Sequence, residues 1–431
     1  MTTILNKDTI DLNADFKAAY IEMEKTNNCL FITGKAGTGK STLLRFWRQH
    51  TRKKMVVLAP TGIAALNIEG QTIHSFFGFP PRPLQKEEIK VRRNRRMFQA
   101  LQAIVIDEVS MVRADMMEQI DFFLRVNTGN PAPFGGIQMI FFGDLFQLPP
   151  VIASNEERAL FHQHYESPYF FSAQVFQSEE LPIHMIELRQ VYRQENRRFI
   201  RLLDAIRLRR IDEEEFNELN ERYQEELEEE DFYVILSARN AEVDAINEQK
   251  LAELHTDTFS YIAKITGTVT TLPAETPLHL KVGAQVMFLK NDPEKRYVNG
   301  SVGQVHALTE DSIKVALLQP NGTIGYIDVE PFEWEVIRHE LNDNLEIETQ
   351  KIGTFTQYPL RLAWAMTIHK SQGKTFDRVI IDMGKGAFEF GQTYVALSRC
   401  RTLEGIVLRR PLRPQDVMVD ERIVDFYQQH F

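Results

Sequence analysis

The chain has 431 residues, 43% hydrophobic and 26% charged, with a formal net charge of -10. This suits two to four globular domains and excludes a collagen-like, fully disordered or coiled-coil rod architecture. No run of about eighteen apolar residues occurs, residues 1–15 lack the apolar stretch of a secretion signal, and Cys29 and Cys400 cannot build a disulfide framework. A reduced cytoplasmic setting follows, nucleoid-associated in a bacterium, with no membrane and no disulfide partner. The negative charge is concentrated: residues 212–231 hold twelve acidic side chains and one basic, Arg222, so the rest is close to neutral. That stretch reads as a solvated helix face.

In chain order, the apolar run 29–33 predicts a buried strand, and the pattern of 41–50 predicts a helix. Between them Gly34-Lys35-Ala36-Gly37-Thr38-Gly39-Lys40-Ser41 fits G-x-x-x-x-G-K-[ST]. Backbone N–H groups of Gly34, Ala36, Gly37, Thr38 and Gly39 can wrap a phosphate chain, Lys40 neutralises its β- and γ-phosphates, and Ser41 ligates Mg²⁺. Thr42 follows at the helix start. A chance match has a probability of roughly two in a hundred from ordinary residue frequencies. Residues 55–59 predict a second strand.

Residues 78–96 break the alternation with Pro80, Pro81 and Pro83, then with the basic run 90–96. Strand 104–106 ends in Asp107 and Glu108, suited to hold the metal and to polarise an attacking water. A helix is predicted over 114–125 and a strand over 139–142. Gln147 follows that strand, either a γ-phosphate or water contact or a polar turn residue before Pro149 and Pro150. Strands are also predicted over 232–236, 379–381 and 405–408. Residues 256–351 alternate with period two at 285–289, 303–307, 312–318 and 325–329, with turns at Asn299-Gly300 and Pro320-Asn321-Gly322. The expected fold class is α/β: two parallel-sheet domains in tandem, each with an insertion.

Taken together, these residues resemble superfamily 1B helicases of the Pif-one (petite integration frequency) type, with RecD-like helicases as cousins. Other motifs carrying the likeness are Ala59-Pro60-Thr61-Gly62-Ile63-Ala64-Ala65, Thr72-Ile73-His74-Ser75-Phe76-Phe77 and Asp107-Glu108-Val109-Ser110-Met111. Downstream come Leu188-Arg189-Gln190-Val191-Tyr192-Arg193-Gln194, Val298-Asn299-Gly300, Thr367-Ile368-His369-Lys370-Ser371-Gln372-Gly373 and Tyr394-Val395-Ala396-Leu397-Ser398-Arg399.

The resemblance implies two RecA-like domains, at 1–77 with 97–185 and at 186–255 with 352–431. It also implies a wedge subdomain at 78–96 and a Src-homology-3-like barrel at 256–351. ATP and Mg²⁺ sit between the RecA-like domains. The implied catalytic residues are Lys40, Glu108, Gln147 and two arginine fingers, Arg193 and Arg399, with Gly373 at the nucleotide. The implied activity is ATP-dependent 5′→3′ unwinding of DNA by a monomeric motor, on single strands and single-strand/duplex junctions. Implied DNA contacts are Pro60, Thr61, Gly62, His74, Ser75, Phe76, Asn299, Thr367, His369 and Lys370. From the residues alone, Phe76 and Phe77 are either core or base-stacking aromatics. Phe16 stands where the family has an adenine-reading glutamine, and either stacks on the base or leaves that task to backbone near Leu12. Two rivals stay open: an assembly-switch ATPase that does not move on DNA, and a nucleic-acid clamp with a vestigial ATP site.

Overall fold

The computed structural model describes residues 13–430 apart from 81, 83, 85, 153–157, 159–160, 162, 178–180, 226–231, 320–322, 343 and 345. Leu12, Pro81, Pro83, the 320–322 turn and the 226–231 end of the acidic run therefore lie outside the described residues.

The first lobe is built on a six-stranded sheet: β1 (Cys29–Gly34), β2 (Met55–Ala59), β3 (Gln71–Thr72), β4 (Ala103–Ile106), β5 (Gln138–Gly143) and β6 (Ile183–Leu188). The order is β3-β2-β4-β5-β1-β6, and every pairing is parallel. Every residue of β1, β4 and β5 is buried, which explains their uninterrupted apolar runs. Helix Lys40–His50 seals one face through Leu43, Leu44 and Trp47; helix Ala114–Thr128 packs Met117, Ile120, Phe123 and Leu124 into the core of the other.

The second lobe has a four-stranded parallel sheet ordered Ala365–Thr367, Val234–Ser237, Val379–Asp382 and Ile406–Leu408. The second insertion is all-β, as expected. It holds a five-stranded antiparallel sheet and a two-stranded sheet around a shared apolar core. It also extends an arm, the hairpin Phe332–Leu341 and Ile347–Gln357, with Lys264–Gly267 as third strand.

The basic segment after Gly78 is pinned to the first lobe. The Arg92 backbone N–H donates to Asn127 Oδ1 at 2.7 Å, its guanidinium donates to the Phe77 carbonyl at 3.0 Å, and Ile89 enters the core. Among the described residues no helix is long and apolar enough to cross a membrane, and both cysteines are buried free thiols.

Candidate functional site

The C-terminal ends of β1, β4 and β5 open on one crevice, as the parallel sheet requires. The loop after β1 turns through left-handed Gly37 (φ 82°) and Gly39 (φ 86°), conformations glycine adopts without a Cβ penalty. It leads into the helix starting at Lys40. The crevice meets the second lobe in a cleft of about 560 Å³. From the first lobe it is lined by Ala36, Gly37, Thr38, Gly39, Lys40, Ser41, Thr42, Glu108 and Gln147; from the second by Arg193, Gly373 and Arg399. Residues as far apart in sequence as Ala36 and Arg401, 365 positions, thus converge. Lys40 Nζ rests on the Gly34 carbonyl at 2.5 Å and the Lys35 carbonyl at 3.1 Å.

The electrostatics of the cleft are those of a desolvated anion receptor. Burial lowers the pKa of Lys40, with Asp144 and Glu108 opposing. Burial and then the neighbouring Arg399 bring Arg193 down to about 9, and burial lowers Arg399 as well. Arg193 Nη1 and Gln194 Nε2 both donate to the Ser398 carbonyl at 3.2 Å, tying together the segments that bear Arg193 and Arg399. On the other side, burial and then Glu108 raise Asp107 to about 7, and burial raises Glu108. Glu108 sits at φ 51°, a left-handed conformation that turns the chain after β4.

Several residues at the cleft lie outside the set of site residues that the sequence implies. Tyr192 lines it, with its backbone N–H on the Gly37 carbonyl at 2.8 Å. Asn13 Nδ2 donates to the Tyr192 hydroxyl at 3.0 Å and to Gln190 Oε1 at 3.2 Å. Phe16 does not face the cleft. It is 2% exposed and wedged beneath Gly39, where an added Cβ would lie 2.9 Å from its ring. Asp144, Arg207 and Tyr394 form a buried junction between the lobes. Only the folded contact reveals them, although Tyr394 stands inside a motif quoted above.

The residues implied for DNA contact fall into three places. Pro60, Thr61 and Gly62 follow β2, and His74, Ser75 and Phe76 follow β3. Thr61 and Thr72 each accept an N–H of the short helix that follows, from Ala64 and Ser75, both at 3.2 Å. Thr367, His369 and Lys370 occupy the equivalent strand end of the second lobe, and Thr367 accepts the Lys370 N–H at 3.2 Å. Asn299 lies apart from both, on the rim of the nucleotide cleft, where Lys374 Nζ donates to it at 2.9 Å. Phe77 is core at 1% exposed, and Phe76 packs edge-on against Phe77 and Phe98.

The arm of the second insertion covers the first of these surfaces. A Cβ on Gly62 would lie 2.4 Å from the Thr271 methyl. The His339 N–H donates to Gln71 Oε1 at 3.3 Å, its ring stands 6.3 Å from that of Phe76, and Leu341 and Ile347 pack on the first lobe's core.

Comparison with known proteins gives the geometry its family. Residues 11–217 match the PIF1-like helicase family, residues 269–308 the DNA helicase Pif1 2B domain, and residues 322–427 a helicase family named for herpes viruses. The ATP-dependent DNA helicase PIF1 of Emericella nidulans is 33% identical over 93% of this chain, which spans about 60% of that protein. The ATP-dependent DNA helicase Pif1 of Bdellovibrio bacteriovorus is 32% identical over 96% of this chain and 91% of its own length. The crystal structure of Bacteroides sp Pif1 with ADP-AlF4 superposes with a TM-score of 0.90 at 38% identity, covering 98% of this chain and 97% of that one. The Bacteroides Pif1 helicase with ADP-AlF3 and ssDNA superposes at 0.70, with 38% identity and 98% of each chain covered. The chain belongs to the PIF1-like helicase family, with its tandem RecA-like lobes.

Proposed function

We propose that this chain is an ATP-driven DNA helicase that moves 5′→3′ along a single strand and separates duplex at the junction it meets. The observation that carries the reading is the trio Lys40, Arg193 and Arg399: three desolvated cations from two lobes around one cleft. Such a cluster is costly without an anion and suits a triphosphate, whose charge shifts as the γ-phosphoryl group departs. Bidentate guanidinium contacts make closure depend on that group, and hydrolysis releases it.

The donor set suits Mg²⁺. The Ser41 hydroxyl, which lines the cleft, and the carboxylate of buried Asp107, next to cleft-lining Glu108, are hard oxygen donors that would hold the ion. When bound, the ion neutralises charge developing between the phosphates. Glu108 orients and deprotonates the attacking water, and Gln147 reports the γ-phosphate to the strand grips. Backbone grips at Thr61–Gly62 and Thr367–Lys370, one per lobe, move relative to each other as the cleft opens and closes. The segment 78–96 acts as the wedge. The motor works as a monomer in the cytoplasm, on single strands and single-strand/duplex junctions.

The deciding experiment is unwinding of duplexes carrying either a 5′ or a 3′ single-stranded tail, with and without ATP. Unwinding of the 5′-tailed substrate alone, dependent on ATP and lost in Lys40→Ala, is expected. ATP turnover indifferent to single-stranded DNA would favour the switch ATPase instead.

A further inference from the structure

Behind the cleft a polar junction joins the lobes, and none of the phosphate chemistry above uses it. Tyr394, 3% exposed, stands on the second-lobe helix Gln392–Leu397. Its hydroxyl accepts the Ala36 N–H of the phosphate loop at 2.9 Å and donates to Asp144 Oδ2 at 3.3 Å. Asp144 is 0% exposed and also accepts from Gln147 Nε2 at 3.4 Å and from the Phe146 N–H at 3.2 Å. Its charge is met by Arg207, 3% exposed, at 3.1 Å. Arg207 belongs to the second-lobe helix Arg197–Arg207, and its guanidinium lies 4.1 Å from the centre of the Phe146 ring.

We propose that Tyr394, backed by Asp144 and Arg207, is a positioning residue that holds the phosphate loop, Gln147 and Arg399 in one register. The inference rests on the ATPase reading above and deepens it. A phenol hydroxyl has one proton to give, and here it is given to the carboxylate that holds Gln147, while a lone pair takes the phosphate-loop amide. The same helix runs into Arg399, whose Nε donates to the Val395 carbonyl at 2.9 Å. One oxygen atom therefore ties the cradle of the triphosphate to the segment bearing the finger, and through Asp144 to the γ-phosphate sensor. The Asp144–Arg207 pair makes the tie obligatory. Neither buried charge tolerates loss of its partner, so the loop carrying Gln147 stays with the second lobe.

Tyr394→Phe keeps the ring and removes only the hydroxyl. Turnover of ATP with saturating single-stranded DNA is expected to fall at least roughly tenfold, the loss of one transition-state-aligned contact. KM for ATP should stay within about threefold of the parent, since Lys40, Ser41 and both arginines keep their places and only the Ala36 N–H loses a partner. Because Tyr394 acts through Gln147, Tyr394→Phe added to Gln147→Ala should cost little more than Gln147→Ala alone. A purely structural role would lower the melting temperature and leave the kcat of the folded protein unchanged. Parental kcat in Tyr394→Phe, or full additivity with Gln147→Ala, overturns the proposal. The unsubstituted chain, assayed in parallel, separates the two inferences. If it shows no DNA-stimulated turnover, the helicase reading fails; if it does and Tyr394→Phe matches it, only the positioning role fails.

Discussion

Gly37→Ala is a one-methyl probe of lobe closure. At φ 82° an alanine carries the left-handed penalty, roughly 1–2 kcal/mol. The new methyl would also lie 2.4 Å from Arg193 Cβ and 3.2 Å from its nitrogen. Carbon atoms settle at about 3.5–4.0 Å, so the Tyr192–Arg193 segment must retreat by about 1 Å. That retreat strains the 2.8 Å bond from the Tyr192 N–H to the Gly37 carbonyl, worth about 0.5–1.5 kcal/mol. Together about 2–3 kcal/mol is set against the closed arrangement, or roughly 30- to 150-fold in rate. The assay is steady-state ATP turnover with saturating single-stranded DNA, paired with titration of a fluorescent nucleotide. The expected result is a fall in kcat of about a hundredfold with a much smaller loss of nucleotide affinity. Turnover within about threefold of the parent would refute the claim that Arg193 must seat against this glycine.

Other substitutions probe other parts. Arg193→Ala should retain nucleotide binding and lose roughly a thousandfold in turnover; equal loss of affinity and turnover in the same titration would argue against a finger. Trp47 is fully buried beneath β1, with Nε1 on Glu24 Oε2 at 3.0 Å, and Trp47→Ala should cost about 3–5 kcal/mol in denaturant melts. His339 is held neutral: burial, and then Arg48, bring its pKa down to about 4. A depressed base docks fully above its free value of about 6.5, and docking weakens as pH falls from there toward 4, by up to roughly 3 kcal/mol. A distance probe between the arm and the first lobe should report release near pH 5, and His339→Gln should remove that dependence.

The phosphate loop was legible because its chemistry fixes both residue type and spacing within eight positions. Strands β1, β4 and β5 were legible because burial on both faces leaves only apolar residues. Other elements gave no such pattern. β3 is two residues long, and β6 is an edge strand whose His184 and Glu187 interrupt its apolar face. The arm was read as barrel because its strands alternate like any half-buried sheet; only Leu341 and Ile347, seated on the first lobe, mark it as a reaching element. The Asp144–Arg207 and Asp144–Tyr394 contacts close over 63 and 250 residues. No local periodicity records a partner that far away. At Phe16 the sequence leaves two alternatives, and the fold adds only that the ring fills the space under Gly39.

The docked arm makes the resting molecule its own competitor. On the strand path proposed above, Thr271 and His339 occupy the ground at Gly62 and Phe76. If that path is the one used, capture on the first lobe waits for the arm to swing off, and Thr367–Lys370 on the second lobe offers the first foothold. Loading becomes a two-stage event whose speed, at high strand concentration, levels off at the arm's own departure rate instead of rising without limit. Duplex ends too short to reach both footholds would drift away before that departure, so the threshold length for productive loading is written into the arm.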